Sequence, residues 1–339
     1  MILREECKVA KIKLTLACGN YDRTRALMDG TVQPEGVELN YIALGPGETF
    51  WRMLNNEEFD VSEMSLSSYT ILRSEGDNRF IALPVFPSRI FRHSCLYIRS
   101  NSGVQRPEDL KGKRIGVGDY QMTAAVWVRG FLHDDYQVRP EVMNWVVGQS
   151  VRKIKSPEGI KIESMEPGQS LDELLEAGKI DALISVTLPR PFLAGSPHIR
   201  RTFPDHRKVE TEYYQRTGIF PIMHTLVIRS ELFEAEPWLA VSLYKAFVQA
   251  KEVNYRRLYD TNALSASLPW LIDEIENLHR VFGEDIWNYS VEGSQPTLEA
   301  FVRYMNEQGL TQREMTVAEL FISNIREELT HYLRSIGEG

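Results

Sequence analysis

Cysteine is scarce in this chain of 339 residues, and its three cysteines, Cys7, Cys18 and Cys95, lie far apart. The sequence contains no Cys-x-x-Cys pair and no cluster of cysteine with histidine. A structural zinc site needs four closely spaced ligands, and a disulfide framework needs paired cysteines. The sequence therefore predicts neither, and it predicts no metal-binding residues.

Positive charge is in deficit. Lys and Arg number 39 against 47 Asp and Glu, so the formal net charge is −8. A chain this acidic has no overall attraction for phosphate backbones, so we expect no nucleic acid partner.

Long apolar runs are absent, since no segment approaches the ~20 apolar residues that a membrane-spanning helix requires. Residues 1–8 carry charges of both signs, and the apolar residues that follow alternate with lysines, so no signal-peptide core is predicted. Leu16-Ala17-Cys18-Gly19 superficially resembles a lipoprotein cleavage site, but no apolar run precedes it. We expect a cytoplasmic protein without a membrane partner.

Motifs of common nucleotide and hydrolase sites are also missing. Gly116-Val117-Gly118 lacks the third glycine and the acidic residue of a dinucleotide fingerprint. Neither Gly-x-Ser-x-Gly nor a P-loop occurs, so hydrolase and NTPase functions have no motif in their favour.

Strand and helix patterns alternate along the chain, and a length of 339 residues corresponds to about two domains. Period-two alternation predicts strands at 11–17 and 37–44, and an apolar run predicts a buried strand at 80–85, followed by a loop at 86–93. Turn residues at 100–103 separate two such series. Repeated strand–helix units predict two α/β lobes, each with a mostly parallel sheet flanked by helices, and a ligand cleft between them.

The chain beyond Pro237 has a helical pattern. One apolar stripe at helical spacing predicts a buried helix face, formed by Leu239, Leu243, Ala246, Phe247 and Ala250. Capping boxes predict helix starts at Ser170 and Thr316.

Positive and aromatic side chains gather at the predicted strand ends. Guanidinium groups bind carboxylates in bidentate fashion, and helix N-termini there offer free backbone N–H groups. The arginines are Arg23, Arg52, Arg89 and Arg92, and the aromatic residues among them are Phe50, Trp51, Phe91 and Tyr120. Taken singly, each is more often an ion-pair partner or a core residue. Taken together, they predict a site for a small aromatic carboxylate.

Two of the seven histidines stand out, because His93 and His224 each follow or begin a predicted strand among polar residues. The other histidines lie in helical or charged contexts and are assigned no role. Imidazole is the side chain best suited to proton transfer near neutral pH.

Two segments resemble the second lobe of type II periplasmic substrate-binding proteins. They are Asp109-Leu110-Lys111-Gly112-Lys113-Arg114-Ile115-Gly116-Val117 and Leu174-Leu175-Glu176-Ala177-Gly178-Lys179-Ile180-Asp181-Ala182. The resemblance implies a two-lobed fold, with lobe I formed by 1–99 and 221–339, including the C-terminal helices, and lobe II by 100–220.

Four further segments resemble the 4,5-dihydroxyphthalate decarboxylase family over nearly the whole chain. They are Gly19-Asn20-Tyr21-Asp22-Arg23-Thr24, Phe59-Asp60-Val61-Ser62-Glu63-Met64-Ser65, Pro87-Ser88-Arg89-Ile90-Phe91-Arg92-His93-Ser94 and Met223-His224-Thr225. The resemblance implies a cytoplasmic carboxy-lyase of aromatic catabolism that converts 4,5-dihydroxyphthalate to protocatechuate. It implies no organic cofactor, and it leaves open whether a divalent metal assists.

Roles for individual residues follow from this resemblance as hypotheses. His93 or His224 supplies a proton, with Glu63 as a third catalytic candidate that, like Asp22, is placed to polarise a hydroxyl. Arg23 and Arg92 hold carboxylates. The full set of candidate substrate-binding residues is Tyr21, Asp22, Arg23, Arg52, Ser67, Arg89, Arg92, Tyr120 and Thr123.

Other functions on the same fold stay open at this point. The main alternative is a non-catalytic solute receptor of an ABC transporter for a small aromatic acid. Menaquinone-pathway enzymes and an intracellular ligand sensor are further alternatives, whereas the cysteine-rich iron motif of thiamine-pyrimidine synthases is missing. A homo-oligomer is left open.

Overall fold

The computed structural model describes residues 11–148 and 156–321. The N-terminal segment used above to argue against a signal peptide lies outside the described residues. The strands are β1 (Ile12–Cys18), β2 (Val37–Ala43), β3 (Val61–Ser65), β4 (Phe80–Arg89), β5 (Leu96–Arg99), β6 (Arg114–Val117), β7 (Asn144–Val147), β8 (Lys161–Ser164), β9 (Ala182–Ile184), β10 (Ile199–Arg201) and β11 (Ile222–Arg229).

Helices connect and cover these strands. They are α1 (Arg25–Met28), α2 (Pro46–Asn56), α3 (Leu66–Ser74), α4 (Thr123–Tyr136), α5 (Leu171–Glu176), α6 (Arg190–Leu193), α7 (His206–Thr217), α8 (Ser230–Ala235), α9 (Trp238–Leu258), α10 (Leu271–Phe282), α11 (Gln295–Glu307) and α12 (Val317–Leu320).

The first sheet has five strands in the order β2-β1-β3-β11-β4. Strand β1 pairs in parallel with β2 and β3, whereas β11 runs antiparallel to both β3 and β4. Strand β11 comes late in the chain, yet it lies between β3 and β4, which are consecutive in sequence. This insertion brings side chains from distant segments to one sheet edge.

The second sheet has six strands in the order β10-β5-β9-β6-β7-β8. Its pairs β9–β6, β6–β7 and β7–β8 are parallel, and β5 is antiparallel to both of its neighbours. The α/β fold with two sheet-centred lobes is confirmed, but both sheets are mixed, because the chain crosses between the lobes and enters each sheet in the reverse direction.

The strand 96–99 pairs within the second sheet, although the predicted boundary assigns it to lobe I. The return of the chain at 222–229 brings β11 into the first sheet. The remaining limits of the two lobes stay a prediction.

The predicted loop at 86–93 is wrong in its first part, because β4 continues to Arg89. Pro87 is accommodated since β4 is an edge strand, where a residue without an N–H costs no ladder hydrogen bond.

Helix α9 confirms the predicted apolar stripe, since all five of its members are buried. The capping box at Thr316 is present, with Glu319 accepting from the Thr316 backbone N–H at 2.8 Å. The helix is short, Val317–Leu320, because Phe321 is extended and forms a bridge with Ala82 of β4. No helix of the described ranges is long and apolar enough to cross a membrane.

Candidate active site

A cavity of about 710 Å³ lies between the two sheets, at strand ends and the loops that follow them. This position is where open α/β sheets bind ligands. The cavity, called the cleft from here on, is lined by Tyr21, Pro46, Gly47, Phe50, Ser65, Ser68, Ser88, Arg92, Gly118, Asp119, Gln121, Met122, Thr123, Ala124, Gly148, Met165, Gln169, Ser170, Leu171, Val186, Met223 and His224.

A carboxylate–imidazole pair opens on the cleft. Glu63 on β3 lies opposite Leu226 on β11, so His224 is its diagonal neighbour on the same sheet face. Nδ1 of His224 lies 2.5 Å from Oε1 of Glu63. Since Nδ1 is held in this way, Nε2 is the nitrogen of His224 that is left for a ligand.

Glu63 is fully buried and is surrounded by donors. Its Oε1 also accepts from the Tyr21 hydroxyl at 2.6 Å, and its Oε2 accepts from the Gly19 N–H at 2.8 Å and the Cys18 thiol at 3.5 Å. Burial alone would raise the pKa of Glu63, but His224 and these hydrogen bonds outweigh it, so the pKa is lowered. Glu63 is therefore an anion, and its Oε1 holds Nδ1 of His224.

Two neighbours of Glu63 remain protonated. Burial, reinforced by the negative charge of Glu63, raises the pKa of both the Tyr21 hydroxyl and the Cys18 thiol. Tyr21 reaches Glu63 because residue 19 is glycine: a Cβ there would lie 2.6 Å from the Tyr21 ring.

Arg92 provides a cation at the cleft without a carboxylate partner. It is buried, and its hydrogen bonds go to Met223 Sδ at 3.1 Å and Cys95 Sγ at 3.4 Å. Among the described residues, no Asp or Glu oxygen forms an ion pair with it. Sulfur is a weak acceptor, so the guanidinium retains capacity for an anion.

A hydroxyl cluster joins the two lobes beside the cleft. Ser65 Oγ lies 3.0 Å from both Ser67 Oγ and Thr123 Oγ1, and the Ser67 N–H donates to Thr123 Oγ1 at 3.1 Å. Thr123 begins α4, whose first N–H groups have no partner within the helix. Ser67 is buried behind the cleft wall.

Apolar and aromatic side chains complete the walls. The ring of Phe50 meets that of His224 edge-on, with centroids 4.9 Å apart. Together with Tyr21, Met122 and Leu171, it leaves a space suited to a planar ring.

Other predicted site residues lie away from the cleft. His93 is stacked on Phe131 with ring centroids 4.0 Å apart, and burial lowers the pKa of His93 to about 3. Tyr120 packs against Trp145 and carries Arg129 over its ring at 4.0 Å, inside the second lobe.

Three of the arginines predicted to bind the substrate do not line the cleft and make contacts elsewhere. Arg52 is ion-paired with Glu48 and Glu58 on the surface of α2. Arg89 faces a second cavity. Arg23 donates to the Pro87 carbonyl and lies over the rings of Tyr21 and Trp287, at 4.3 and 4.0 Å from their centroids.

Asp22 is exposed and pairs with Arg23 at 3.0 Å, without lining the cleft. Sequence reasoning also missed some cleft residues. Gln169 and Ser170 line it because α5 begins there, and the capping box at Ser170 was a usable signal. No signal in the sequence indicated that the Gly19 N–H and the Cys18 thiol hold Glu63.

No group of three or more His, Cys, Asp or Glu side chains suited to a metal ion occurs in the part of the chain that the structure describes.

No known family model matches the chain. The 4,5-dihydroxyphthalate decarboxylase of Comamonas testosteroni is 41% identical over 320 residues, covering 92% of this chain and 97% of that protein. The enzyme of the same name from Pseudomonas putida is 38% identical over 219 residues, covering 62% of this chain and 85% of its own.

Among solved structures, the periplasmic aliphatic sulphonate binding protein SsuA from Escherichia coli has a TM-score of 0.53 at 10% identity. The match covers 93% of this chain and 92% of that one. At this identity it confirms the two-lobed binding-protein fold alone.

The sequence relatives confirm the resemblance and the prediction of a carboxy-lyase, and they favour it over the transporter-receptor alternative. The chain belongs to the 4,5-dihydroxyphthalate decarboxylase family.

Proposed function

We propose that this protein removes CO2 from 4,5-dihydroxyphthalate and releases protocatechuate, with His224 as the proton donor. The relatives that carry this name support the substrate. The observation that carries the mechanism is the buried Glu63–His224 pair, with its 2.5 Å contact, at the wall of the cleft. A cytoplasmic location is part of the proposal.

The substrate's own electrons drive the reaction. Each carboxylate of 4,5-dihydroxyphthalate has a hydroxyl para to it on the ring. Electron donation from that oxygen lets the ring carbon bearing the carboxylate accept a proton. The C–C bond to the carboxylate then breaks, CO2 leaves, and the bonding pair restores the aromatic ring. One proton is consumed for each CO2 released.

His224 supplies that proton from Nε2. The anion of Glu63 stabilises the imidazolium before transfer and fixes the ring orientation through Nδ1. Positioned acid–base groups of this kind contribute roughly 10²–10⁴-fold to rates. Tyr21 supports Glu63 by donating to the same oxygen.

Arg92 holds the carboxylate that stays on the ring. Its buried guanidinium lines the cleft together with His224 and Thr123. A dicarboxylate thus meets a cation on one side and the proton donor on another. The hydroxyls of Ser65 and Thr123 offer further hydrogen bonds near the start of α4.

The test is incubation of purified, EDTA-treated protein with 4,5-dihydroxyphthalate, with protocatechuate and CO2 followed by chromatography and gas analysis. We expect stoichiometric formation of both products, and their loss in the His224→Asn variant. A protein that binds the substrate but forms no product, with or without added Mn²⁺ or Mg²⁺, would contradict the proposal and favour a receptor.

A further inference from the structure

A second cavity, larger than the cleft at about 940 Å³, lies behind it. The two share a wall, the segment 88–92. Ser88 and Arg92 face the cleft, whereas Arg89, Ile90 and Phe91 line the second cavity, called the outer cavity from here on. Small-molecule sites commonly have volumes of about 300–1,000 Å³, so the outer cavity has the size of a ligand site.

Aromatic rings form the inner wall of the outer cavity. Phe91 and Phe220 lie with ring centroids 5.0 Å apart, and Phe220 and Phe282 are 5.1 Å apart. Trp287 meets Phe220 edge-on at 5.6 Å. A wall of this kind suits a flat apolar ring.

A buried cation without a counter-ion stands at this wall. Arg89 is 5% exposed, and its guanidinium donates to the carbonyls of Asn288 and Phe220 and to the Ser294 hydroxyl. Its Nε–H has no acceptor in the described residues. No carboxylate oxygen within them forms an ion pair with Arg89, and the nearby Asp285 is paired with Lys251 at 2.6 Å.

Burial lowers the pKa of Arg89 to about 10, so it still carries its charge at neutral pH. A buried charge without a counter-ion is costly even when it is hydrogen-bonded, and an anion in the cavity would offset that cost.

The other charged groups that line the outer cavity do not make its net charge negative. Arg207 and Glu274 pair with each other at 3.0 Å on the rim. Burial raises the pKa of Glu210 to about 7, which reduces its negative charge near neutrality. Arg280 and His206 add basic groups at the edge.

We propose that the outer cavity is a second ligand site, which binds an aromatic monocarboxylate with its ring against Phe91, Phe220 and Phe282 and its carboxylate toward Arg89. This inference does not depend on the proposed function, since it uses none of the groups assigned to the reaction.

Calorimetric titration of the full-length protein with benzoate tests the proposal. The titration is done in an Arg92→Gln background, because this substitution weakens any benzoate binding in the cleft. Ile90→Trp fills the outer cavity from its rim, where Ile90 is 45% exposed and a larger side chain is tolerated. Val142→Trp is the matched control, since Val142 is 42% exposed and lines neither cavity.

We expect saturable benzoate binding in the Arg92→Gln protein, weakened about tenfold or more by added Ile90→Trp and unchanged by added Val142→Trp. Leu278→Trp, on the opposite wall, gives a second filling variant if Ile90→Trp does not fold. Benzoate should bind more tightly than benzamide, and benzylammonium more weakly than both.

Three results would overturn the inference: no saturable binding in the Arg92→Gln background, binding that neither filling substitution weakens, or tighter binding of benzylammonium than of benzoate. The product assay for the decarboxylase is independent of these titrations, so failure of one proposal is distinguishable from failure of the other.

Discussion

Two histidine–glutamate pairs in this protein differ in the direction in which the pKa of the carboxyl group is shifted. His224 lies 2.5 Å from Glu63, whereas His93 lies 3.8 Å from Glu210. The pKa of Glu63 is lowered despite complete burial, but burial raises the pKa of Glu210 to about 7 and lowers that of His93 to about 3. The carboxylate of the first pair is therefore ionised, whereas the second pair is close to neutral.

The difference comes from the donors around each carboxylate. Glu63 accepts from the Tyr21 hydroxyl, the Gly19 N–H and the Cys18 thiol as well as from His224. Glu210 accepts from the Ser94 N–H at 3.2 Å, and both ring nitrogens of its neighbour His93 lack hydrogen-bond partners within the described residues. Proximity of imidazole and carboxylate does not make a proton-transfer pair, because the charges must also be stabilised by surrounding dipoles.

Removal of the proposed proton donor is the most severe test of this comparison. In His224→Asn, kcat should fall by roughly 10²–10⁴-fold, because Asn cannot deliver a proton to the ring carbon. KM should change much less than kcat, since the carboxylate contact to Arg92 is retained. Steady-state kinetics of product formation measure both, and near wild-type kcat would exclude His224 as the donor.

Neutralising the carboxylate of the charged pair should have the next largest effect. Glu63→Gln removes the anion that orients the His224 ring through Nδ1, so it should lower kcat by roughly 10²-fold, the lower end of what a positioned acid–base group contributes. Tyr21→Phe removes one of several hydrogen bonds to the same carboxylate and leaves its charge in place, so it should cost about 1.5 kcal/mol, or roughly tenfold.

Equal losses in these two variants, measured in proteins with matched thermal unfolding, would show that the charge of Glu63 is not what matters. Acid should also weaken the fold through Glu63, because its lowered pKa stabilises the folded state above the unfolded-state value of 4.5. That stabilisation is lost as the pH falls below this value.

Substitution of the cleft arginine separates binding from proton transfer. A hydrogen bond to a charged group contributes about 1.5–3 kcal/mol, so Arg92→Gln should lower kcat/KM by roughly 10–100-fold, mainly through KM. Arg52→Gln is the control, because Arg52 is ion-paired with Glu48 and Glu58 and does not line the cleft. If both variants raise KM equally, the cleft does not bind the substrate through Arg92.

Local sequence patterns predicted much of the fold. The alternation in 37–44 and the apolar stripe from Leu239 to Ala250 each concern one face of one element. They can therefore be recognised without knowing which other elements pack against that face. The mixed pairing was not predicted, since the insertion of β11 between β3 and β4 joins segments more than 130 residues apart.

The candidate site was predicted less completely for the same reason. Tyr21, Arg92, Thr123 and His224 were placed at strand ends, and these residues line the cleft. Arg89 was selected by the same rule but faces the other way, because Ser88 and Arg89 alternate across the strand. A small error in the predicted limits of a strand is therefore enough to assign a side chain to the cleft when it lines the outer cavity.

The smallest effect on turnover is expected for the His93–Glu210 pair. His93→Phe keeps the stacking on Phe131 and should leave turnover unaltered, because His93 does not line the cleft. Its pKa of about 3 lies below the ordinary value of 6.5, so the native histidine destabilises the fold progressively as the pH falls from 6.5 toward 3. Near pH 5 this cost is about 2 kcal/mol, and phenylalanine abolishes it.

Thermal unfolding at pH 5 and at neutral pH should therefore show a gain for His93→Phe only in acid. Glu210→Gln acts in the opposite direction: the raised pKa of Glu210 costs stability above its unfolded-state value of 4.5, so glutamine should help most at neutral pH. A loss of turnover in His93→Phe, with unfolding unchanged at both pH values, would mean that His93 takes part in the reaction and that both pairs, not one, serve it.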